Sequence, residues 1–467
     1  MRRKVVRGGT VVTEAAAFAA DVLIVDDAIV AIGRDLGDGD DEVVDASGCF
    51  VLPGLVDSHV HLSLEVAGTV SADDFATGTA AAAAGGTTCV IDFAPSDERG
   101  LLAALRDRRA RADADVHVDY GLHVVVARVT DRTLREMADV VAAGAPSFKV
   151  FMAYPDLMLG DADLLRVLRR ARQVGGLVCV HAEAGELIGE LVREALAAGD
   201  TEPRFHAQTR PPLTEAQAVA RVVALAQMAD AELFVMHVTC AAALQAVRAA
   251  QDAGAPVAAE TCVQYLALDE RELARPGFEG AKYVCSPPLR RREDQEALWS
   301  ALRQAALEVC SSDHCPFDYR GQKDRGRGDF SQIPNGLPTI EHRLPLLWEL
   351  GVQSGRITPS DVVRVCATAP ARRFGLLPRK GAILPGADAD LVVLDPRRTT
   401  TIAAATHRMN VDYNPFEGMT CRGSPRVVLS RGEVICREGT VLSRPGRGRY
   451  VPRSPSRSLD RREHPDL

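Results

Sequence analysis

Between residues 53 and 377, short Val-rich apolar runs alternate with helical stretches rich in Ala, Leu and Arg. The eight apolar runs are LVDSHVH, TCVIDFA, VDYGLHVVV, FKVFMAY, LVCVHAE, LFVMHVT, PVAAETC and EVCSSDH. Near-continuous apolar runs between helices are typical of parallel strands covered on both faces. Because the runs span about 250 residues, they predict an α/β fold with a (β/α)8 TIM-like barrel. A doubly wound sheet is the alternative, but no Gly-x-Gly-x-x-Gly follows the first run.

The segments on either side of the barrel have a different texture. Residues 1–52 contain short strand-like runs separated by Gly-Gly, Asp-Asp and Asp-Gly pairs, and residues 378–443 return to the same texture. We expect the two segments to join in one β-sandwich beside the barrel. Residues 444–467 are rich in Arg, Pro and Ser, which predicts a solvated tail or a subunit arm rather than a nucleic-acid contact.

Composition excludes several classes of function. The formal net charge of −8 and the pI near 5.8 give no general electrostatic footprint for nucleic acid. No apolar run reaches the roughly 18 residues of a membrane span, and the N-terminus has no signal-peptide cleavage pattern. The 11 cysteines are scattered, several of them within strand-like runs, which predicts reduced, buried thiols and a cytoplasmic protein.

Polar residues of a few kinds occur at the ends of five of the eight runs. They are His59 and His61 in the first run, Lys149 in the fourth, His181 in the fifth, His237 in the sixth and Asp313 in the eighth. Because the carboxyl ends of barrel strands meet at one mouth, we expect these side chains to converge there. A single histidine at a strand end is more often structural. Six such polar residues, each placed at an end of a predicted barrel strand, together predict a metal site. Imidazole and carboxylate ligands suit Zn²⁺, with Mn²⁺ or Co²⁺ as alternatives.

Lys149 is unexpected among metal ligands because an ammonium group repels cations. A neutral lysine can add CO2 to form a carbamate, whose two oxygens can bridge a pair of metal ions about 3.5–4 Å apart. The alternative is a lysine that pairs with a carboxylate at the barrel mouth.

Motifs over nearly the whole chain carry a family resemblance. They are the opening PGLVDSHVH, then SADDFATGTAAAAAGGTT, SFKVFMAY, VHAE, HAQTRPP, CSPPLR, SDHCPF, IPNGLPTIEHRLPLL, HRMNVDYNPFEG and VVLSRGEVI. The chain resembles the cyclic amidohydrolases of the amidohydrolase superfamily, and most of all the dihydropyrimidinases and bacterial D-hydantoinases. This resemblance implies hydrolysis of a dihydropyrimidine or 5-substituted hydantoin to an N-carbamoyl amino acid. It also implies two divalent metal ions and a homotetramer.

The resemblance also implies a role for each metal ligand. His59, His61, Asp313 and the carboxylated Lys149 would hold the more buried metal. Lys149, His181 and His237 would hold the more exposed one.

Three further residues receive roles in the same way. Tyr154 would hydrogen-bond the developing oxyanion, while Ser286 and Asn335 would bind the ring through their side chains or backbones. Asp313 would also move a proton from the attacking water to the leaving ring nitrogen. The alternatives are a rim aromatic for Tyr154 and ordinary turn residues for Ser286 and Asn335.

Other polar residues of these motifs are interpreted as structural. They are Asp57, His206 and His314, the last of which would orient the loop after Asp313.

Two alternative functions remain at this stage. An allantoinase-like hydrolase of another cyclic ureide is one, and a non-catalytic scaffold like the collapsin response mediators is the other. The scaffold is disfavoured because all six ligands are present, and dihydroorotase is disfavoured because Ser63 stands where that enzyme carries an arginine.

The stretch 63–66, Ser-Leu-Glu-Val, departs from the hydantoinase pattern. A carboxylate at Glu65 predicts an altered pocket and a polar or unusual ring.

Overall fold

The computed structural model describes residues 2–66 and 68–455. The strands are β1 (Arg3–Val12), β2 (Ala17–Val25), β3 (Ala28–Gly33), β4 (Glu42–Asp45), β5 (Phe50–Pro53), β6 (Leu55–Val60), β7 (Glu65–Val66), β8 (Thr69–Val70), β9 (Thr87–Ala94), β10 (Asp119–Val125), β11 (Ser147–Phe151), β12 (Leu177–His181), β13 (Leu233–Val235), β14 (Val257–Cys262), β15 (Val309–Ser311), β16 (Leu391–Thr401), β17 (Thr420–Ser430), β18 (Glu433–Arg437) and β19 (Thr440–Val441).

Most helices lie between the barrel strands. They are α1 (Phe75–Ala84), α2 (Leu101–Asp115), α3 (Asp131–Ala142), α4 (Asp161–Val174), α5 (Gly185–Ala197), α6 (Phe205–Gln208), α7 (Pro212–Ala229), α8 (Ala241–Asp252), α9 (Val263–Ala267), α10 (Arg292–Arg303), α11 (Arg343–Leu347), α12 (Pro359–Val363) and α13 (Ala369–Arg373). Short 3-10 turns cover Glu270–Ala274, Pro276–Tyr283, Lys323–Gly326, Phe330–Gln332 and Ile340–His342, and π-helical turns cover Trp348–Gln353 and Arg364–Thr368.

The eight predicted barrel strands are all present. They pair in parallel in the order β6-β9-β10-β11-β12-β13-β14-β15. The sheet closes between its first and last strands through contacts around Val60 and His314, which form an isolated parallel bridge. The backbone N–H of His61 donates to His314 O at 2.7 Å across this seam. The predicted TIM-like barrel is therefore confirmed.

The sequence of each element explains why it forms. All eight residues of β9 are buried, as expected for a parallel strand covered on both faces. Helix α4 carries Asp161 and Asp163 in its first turn, where carboxylates favour the positive end of the helix dipole. It ends at Gly175, whose φ of 72° is the left-handed conformation that glycine adopts without strain. These local signals fix where strand and helix alternate around the barrel.

The N- and C-terminal segments share one nine-stranded sheet beside the barrel. Its order is β19-β18-β17-β16-β5-β1-β2-β3, and β4 pairs with β1. Strand β16 joins the two segments by antiparallel pairing with β5, for example Val393 with Val51. The sheet has its own hydrophobic core, which includes Val6, Ile24 and Leu429. The two segments thus join as predicted, and this flanking β layer is built from both ends of the chain.

Part of the predicted solvated tail packs against the barrel instead. Tyr120 N donates to Arg449 O at 2.9 Å, and Val451 N donates to Tyr120 O at 2.7 Å. Arg453 is only 3% exposed and donates to Ser147 Oγ at 2.7 Å. Residues 449–453 are therefore held against the barrel by backbone and side-chain hydrogen bonds and are not a solvated tail. Residues 456–467 of the predicted tail lie outside the described residues.

One prediction from composition is confirmed in the described residues. All 11 cysteines are free and buried. Within the part of the chain that the structure describes, every helix is too short or too polar to cross a bilayer.

Candidate metal centre

The six predicted ligands lie at the carboxyl end of the barrel or just below it. His59 is the fifth residue of β6 and His61 follows that strand. Lys149 is the middle residue of β11, His181 ends β12, and His237 and Asp313 each come two residues after β13 and β15. Because each residue lies at or near the end of a parallel strand, the six side chains meet at the same mouth of the barrel.

The first group of donors comprises His59, His61 and Asp313. Asp313 Oδ1 lies 3.1 Å from His59 Nε2 and 3.3 Å from His61 Nε2. One ligand atom from each residue lies within 4.8 Å of the others. The His59 side chain is 1% exposed, whereas those of His61 and Asp313 are 14% and 13% exposed. Two imidazole nitrogens and a carboxylate oxygen thus converge, and the side chains of His61 and Asp313 are partly exposed.

The second group comprises His181 and His237. His181 Nδ1 and His237 Nε2 face each other at 3.0 Å, and the ring centroids of His237 and His59 are 5.4 Å apart. Burial lowers the pKa of His237 well below its usual value, so its imidazole stays neutral. Neutral imidazole is the form that binds metal ions. The four histidines and Asp313 are therefore a donor set that fits divalent cations such as Zn²⁺.

Lys149 lies among these groups and is 1% exposed. Its Nζ contacts Met236 Sδ at 2.9 Å, and no carboxylate of the described residues lies within ion-pair distance of it. Burial lowers the pKa of Lys149 to about 8, although the charge of Asp313 opposes the shift. The ion-paired lysine that was the alternative to a metal ligand is thus not observed among residues 2–66 and 68–455.

Three site residues adopt left-handed backbone conformations. The φ angles are 68° at Tyr154, 40° at His237 and 46° at Asp313. Non-glycine residues adopt this conformation at a cost, and such positions are concentrated at functional sites. At each position the chain turns sharply after a barrel strand.

Two glutamates support the histidines and were missed by sequence reasoning. His59 Nδ1 lies 2.6 Å from Glu260 Oε1, and His181 Nε2 lies 2.8 Å from Glu183 Oε2. A carboxylate on one ring nitrogen orients the imidazole and leaves the lone pair of the other nitrogen for a metal. The available signals were a carboxylate two residues after His181 and another inside the apolar run PVAAETC.

Tyr154, Ser286 and Asn335 come together beside the second group. The ring centroid of Tyr154 is 5.2 Å from that of His181. Burial raises the pKa of the Tyr154 phenol to about 12, although hydrogen bonds with Ser286 and Asn335 work to lower it. The phenol therefore remains protonated, as a hydrogen-bond donor, throughout the neutral range.

His206 and Arg210, of the motif HAQTRPP, lie behind Ser286. Arg210 Nη1 donates to His206 Nδ1 at 3.1 Å, so that His206 Nε2 carries the proton. This Nε2 donates to Cys285 O at 2.9 Å and lies 3.2 Å from Ser286 Oγ. His206 thus supports the chain that carries Ser286.

Asp57 and His314 lie in the seam that closes the barrel. Asp57 Oδ1 accepts from Ser312 N at 3.1 Å. His314 Nε2 lies 2.9 Å from Asp73 Oδ2, and His314 Nδ1 accepts from Thr339 N at 3.1 Å. Both residues therefore hold loops, as predicted.

The structure differs from the expectation for Glu65. Its side chain is 76% exposed and lies 3.9 Å from Arg111 Nη1. Glu65 belongs to the short hairpin of β7 and β8. The carboxylate needs no buried partner because water solvates it, so the inference of a polar ring from this residue does not hold.

Comparisons with known proteins agree with this geometry. The profile of the amidohydrolase family matches residues 50–435. The D-hydantoinase of Geobacillus stearothermophilus is 47% identical over 97% of this chain and 96% of its own length. The D-hydantoinase of Streptomyces coelicolor is 48% identical over 97% of this chain and 98% of its own length.

Solved structures give the same result. The crystal structure of dihydropyrimidinase from Brevibacillus agri superposes with a TM-score of 0.96 at 47% identity, covering 97% of this chain and 99% of that one. L-Hydantoinase from Arthrobacter aurescens superposes with a TM-score of 0.89 at 30% identity, covering 97% of this chain and all of that one (100%). The chain belongs to the amidohydrolase family, in the group that contains the D-hydantoinases and dihydropyrimidinases.

Proposed function

We propose that this chain hydrolyses one ring amide bond of a dihydropyrimidine or 5-substituted hydantoin and releases an N-carbamoyl amino acid. It is a hydrolase of cyclic amides, as its relatives are. The observation that carries the finer proposal is the convergence of the donor atoms of His59, His61 and Asp313 at the mouth of the barrel, beside His181 and His237.

The proposed cofactor is a pair of divalent cations, Zn²⁺ in the first instance with Mn²⁺ or Co²⁺ as substitutes. His59, His61 and Asp313 would hold one cation, His181 and His237 the other, and Lys149 both. Bound there, the cations would lower the pKa of a water nucleophile and polarise the ring carbonyl.

The proposed form of Lys149 is the carbamate, N6-carboxylysine. The neutral amine of Lys149 adds to CO2 and releases one proton. The product is a carbamate anion with two oxygen ligands, in place of the ammonium cation of an ordinary lysine. The pKa of about 8 supports this step because it makes the neutral amine accessible near physiological pH.

Asp313 is proposed as the group that moves the proton. Burial disfavours its charge, but His59 and His61 more than offset this and hold the pKa of the carboxyl below its usual value. The carboxyl is therefore ionised at neutral pH, which is the form that can accept a proton from the attacking water. It then donates that proton to the ring nitrogen as the C–N bond breaks.

Tyr154 is proposed to stabilise the oxyanion that develops on the ring carbonyl. Its high pKa supports a neutral O–H that donates a hydrogen bond without losing its proton. Ser286 and Asn335, which contact this phenol, are proposed to hold the amide groups of the ring.

The experiment is product analysis with the metal-reconstituted protein and a panel of rings. The panel contains dihydrouracil, 5-substituted hydantoins, allantoin and dihydroorotate, with both enantiomers of each chiral ring. We expect N-carbamoyl products from dihydrouracil or a hydantoin. Turnover of allantoin alone would favour the allantoinase alternative, and inactivity on every ring would overturn the proposed substrate class.

The proposed assembly is a homotetramer in the cytoplasm. Family resemblance supports the tetramer, and the 11 buried free thiols support a reducing compartment. Light scattering of the purified protein would test the assembly, with four times the 50.0 kDa chain mass as the expected result.

A further inference from the structure

Lys323 is a buried cation that the proposed reaction does not use. It is 0% exposed and begins a 3-10 turn between β15 and α11. Its Nζ donates to Val284 O at 2.9 Å and to Pro334 O at 2.8 Å. Each acceptor lies within two residues of a proposed ring-binding residue: Val284 precedes Ser286 by two positions, and Pro334 precedes Asn335 directly.

The two stretches that Lys323 bridges also contact each other. Gly336 N donates to Val284 O at 3.0 Å, so this carbonyl accepts from both Gly336 and Lys323. Gly336 has a φ of 150°, and a Cβ on it would lie 2.2 Å from Cys315 O. The stretch 334–336 is thus pressed between the stretch 284–286 and the loop that follows Asp313.

The surroundings of Lys323 supply hydrogen-bond acceptors but no counterion. Among the described residues, no carboxylate lies within ion-pair distance of its Nζ. Burial lowers the pKa of Lys323 to about 7, with the thiols of Cys285 and Cys315 acting in the opposite direction. A neutral amine has two N–H groups, which match the two carbonyl oxygens. What the side chain contributes is therefore two directed donors, which an apolar side chain of the same length would lack.

We propose that Lys323 is a positioning residue that fixes the spacing between Ser286 and Asn335, and so sets how tightly the substrate ring is held beside Tyr154. This inference rests on the proposed function, because it assigns Ser286 and Asn335 to the ring. Loss of the two donors would leave Pro334 O without its partner and let the two stretches separate.

The test compares Lys323→Met with Lys282→Met in the metal-loaded enzyme. Lys282 pairs with Glu279 at 2.5 Å on the preceding 3-10 turn, so its variant is the matched control for loss of a lysine. For Lys323→Met we expect KM to rise about tenfold, as two hydrogen bonds are lost, while kcat stays within about threefold and bound metal is unchanged. We also expect faster hydrogen exchange at the amide of Gly336. For Lys282→Met we expect none of these changes.

A second variant, Lys323→Gln, keeps the experiment decisive. Its carboxamide retains N–H donors on a shorter side chain, so we expect a KM between those of wild type and Lys323→Met. A KM within about twofold of wild type in Lys323→Met, or a parallel loss of kcat and metal, would overturn the inference. Failure of both Lys323 variants to fold while Lys282→Met folds would also overturn it. Inactivity of the wild-type protein on the ring panel would instead overturn the proposed function.

Discussion

At the scale of single residues, burial changes the chemistry of Lys149. Burial lowers the pKa of Lys149 to about 8, so that more of its amine is neutral near physiological pH than in an exposed lysine. The neutral amine is the form that can add CO2. The sequence predicted Lys149 as a ligand from its phase with the strand. The environment that makes this chemistry accessible includes Phe151 on the same strand. It also includes Met236 and Phe93, which only the fold brings to Lys149.

Replacement of Asp313 separates metal binding from proton transfer. Asn keeps one oxygen ligand and the contacts with His59 and His61, but it cannot accept the proton of the attacking water. We expect Asp313→Asn to retain most of its metal and to lose about 10²–10⁴-fold in kcat. Metal analysis together with steady-state kinetics checks both parts. A near-wild-type kcat would refute the proton transfer.

At the scale of elements, the barrel seam depends on side chains as well as on strand pairing. Asp57 on β6 accepts from Ser312 N, and Arg343 Nε lies 3.6 Å from Asp57 Oδ2. Arg343 is 0% exposed, so Asp57 compensates a buried positive charge. The seam joins the strand that carries His59 to the loop that carries Asp313.

Removal of Asp57 is therefore expected to destabilise the barrel. Asp57→Ala leaves Arg343 without its carboxylate, and we expect the free energy of unfolding to fall by about 3–5 kcal/mol. The control is Asp40→Ala at an exposed position, with an expected change within about 0.5 kcal/mol. Thermal unfolding of the two variants measures the difference. Equal midpoints would show that Asp57 does not hold the seam.

Elements with strong local signals were predictable, and elements that depend on distant contacts were not. The eight barrel strands followed from continuous apolar runs, whose burial on both faces is a local property of the sequence. Glu183 and Glu260 gave no such signal because their partners, His181 and His59, are identified by distance in space. The sequence showed that Glu65 departs from the hydantoinase pattern. It did not show that the Glu65 side chain points to solvent, near Arg111.

At the scale of the whole molecule, a buried charge cluster joins the barrel to the flanking sheet. Lys380 Nζ lies 2.6 Å from Asp119 on β10 and 2.9 Å from Asp390, which precedes β16. Burial alone would lower the pKa of Lys380, but Asp390 and Asp119 more than offset it and raise the pKa. Burial alone would raise the pKa of Asp119, but Lys380 and Arg431 hold it below its usual value.

These shifts define how the cluster contributes to stability across pH. The raised pKa of Lys380 contributes stability below the unfolded value of about 10.4, and this is lost as pH rises through the folded value. The lowered pKa of Asp119 contributes stability above about 3.9, and this is lost as pH falls through the folded value. The pair therefore contributes fully between about pH 4 and pH 10.

Lys380→Met tests the cluster. We expect a loss of about 3–5 kcal/mol in the free energy of unfolding at pH 7, because two buried carboxylates lose a partner. The difference from wild type should narrow below about pH 4, as Asp119 becomes protonated. Lys282→Met, at a more exposed ion pair, should cost about 0–1 kcal/mol. A difference that is the same at pH 3 and pH 7 would contradict this assignment.

The domain pattern was predictable at this scale, but the path of the C-terminus was not. The return of strand-like texture after the barrel indicated that both ends of the chain build one flanking β layer. Composition favoured a solvated tail, yet Arg453 is buried beneath the barrel against Ser147 and Leu122. The burial of one arginine within an Arg-rich stretch depends on tertiary contacts, and composition carries no information about these.

The most direct test of a metal-dependent ring hydrolase is the rate of hydantoin opening as a function of bound metal per chain. Metal-free protein is titrated with Zn²⁺ in the presence of bicarbonate, for the wild type and for Lys149→Ala. We predict no turnover without metal, a rate that rises until about two ions are bound per chain, and neither tight binding nor turnover in Lys149→Ala. Full turnover in the metal-free protein, or full activity in Lys149→Ala, would contradict the proposed centre.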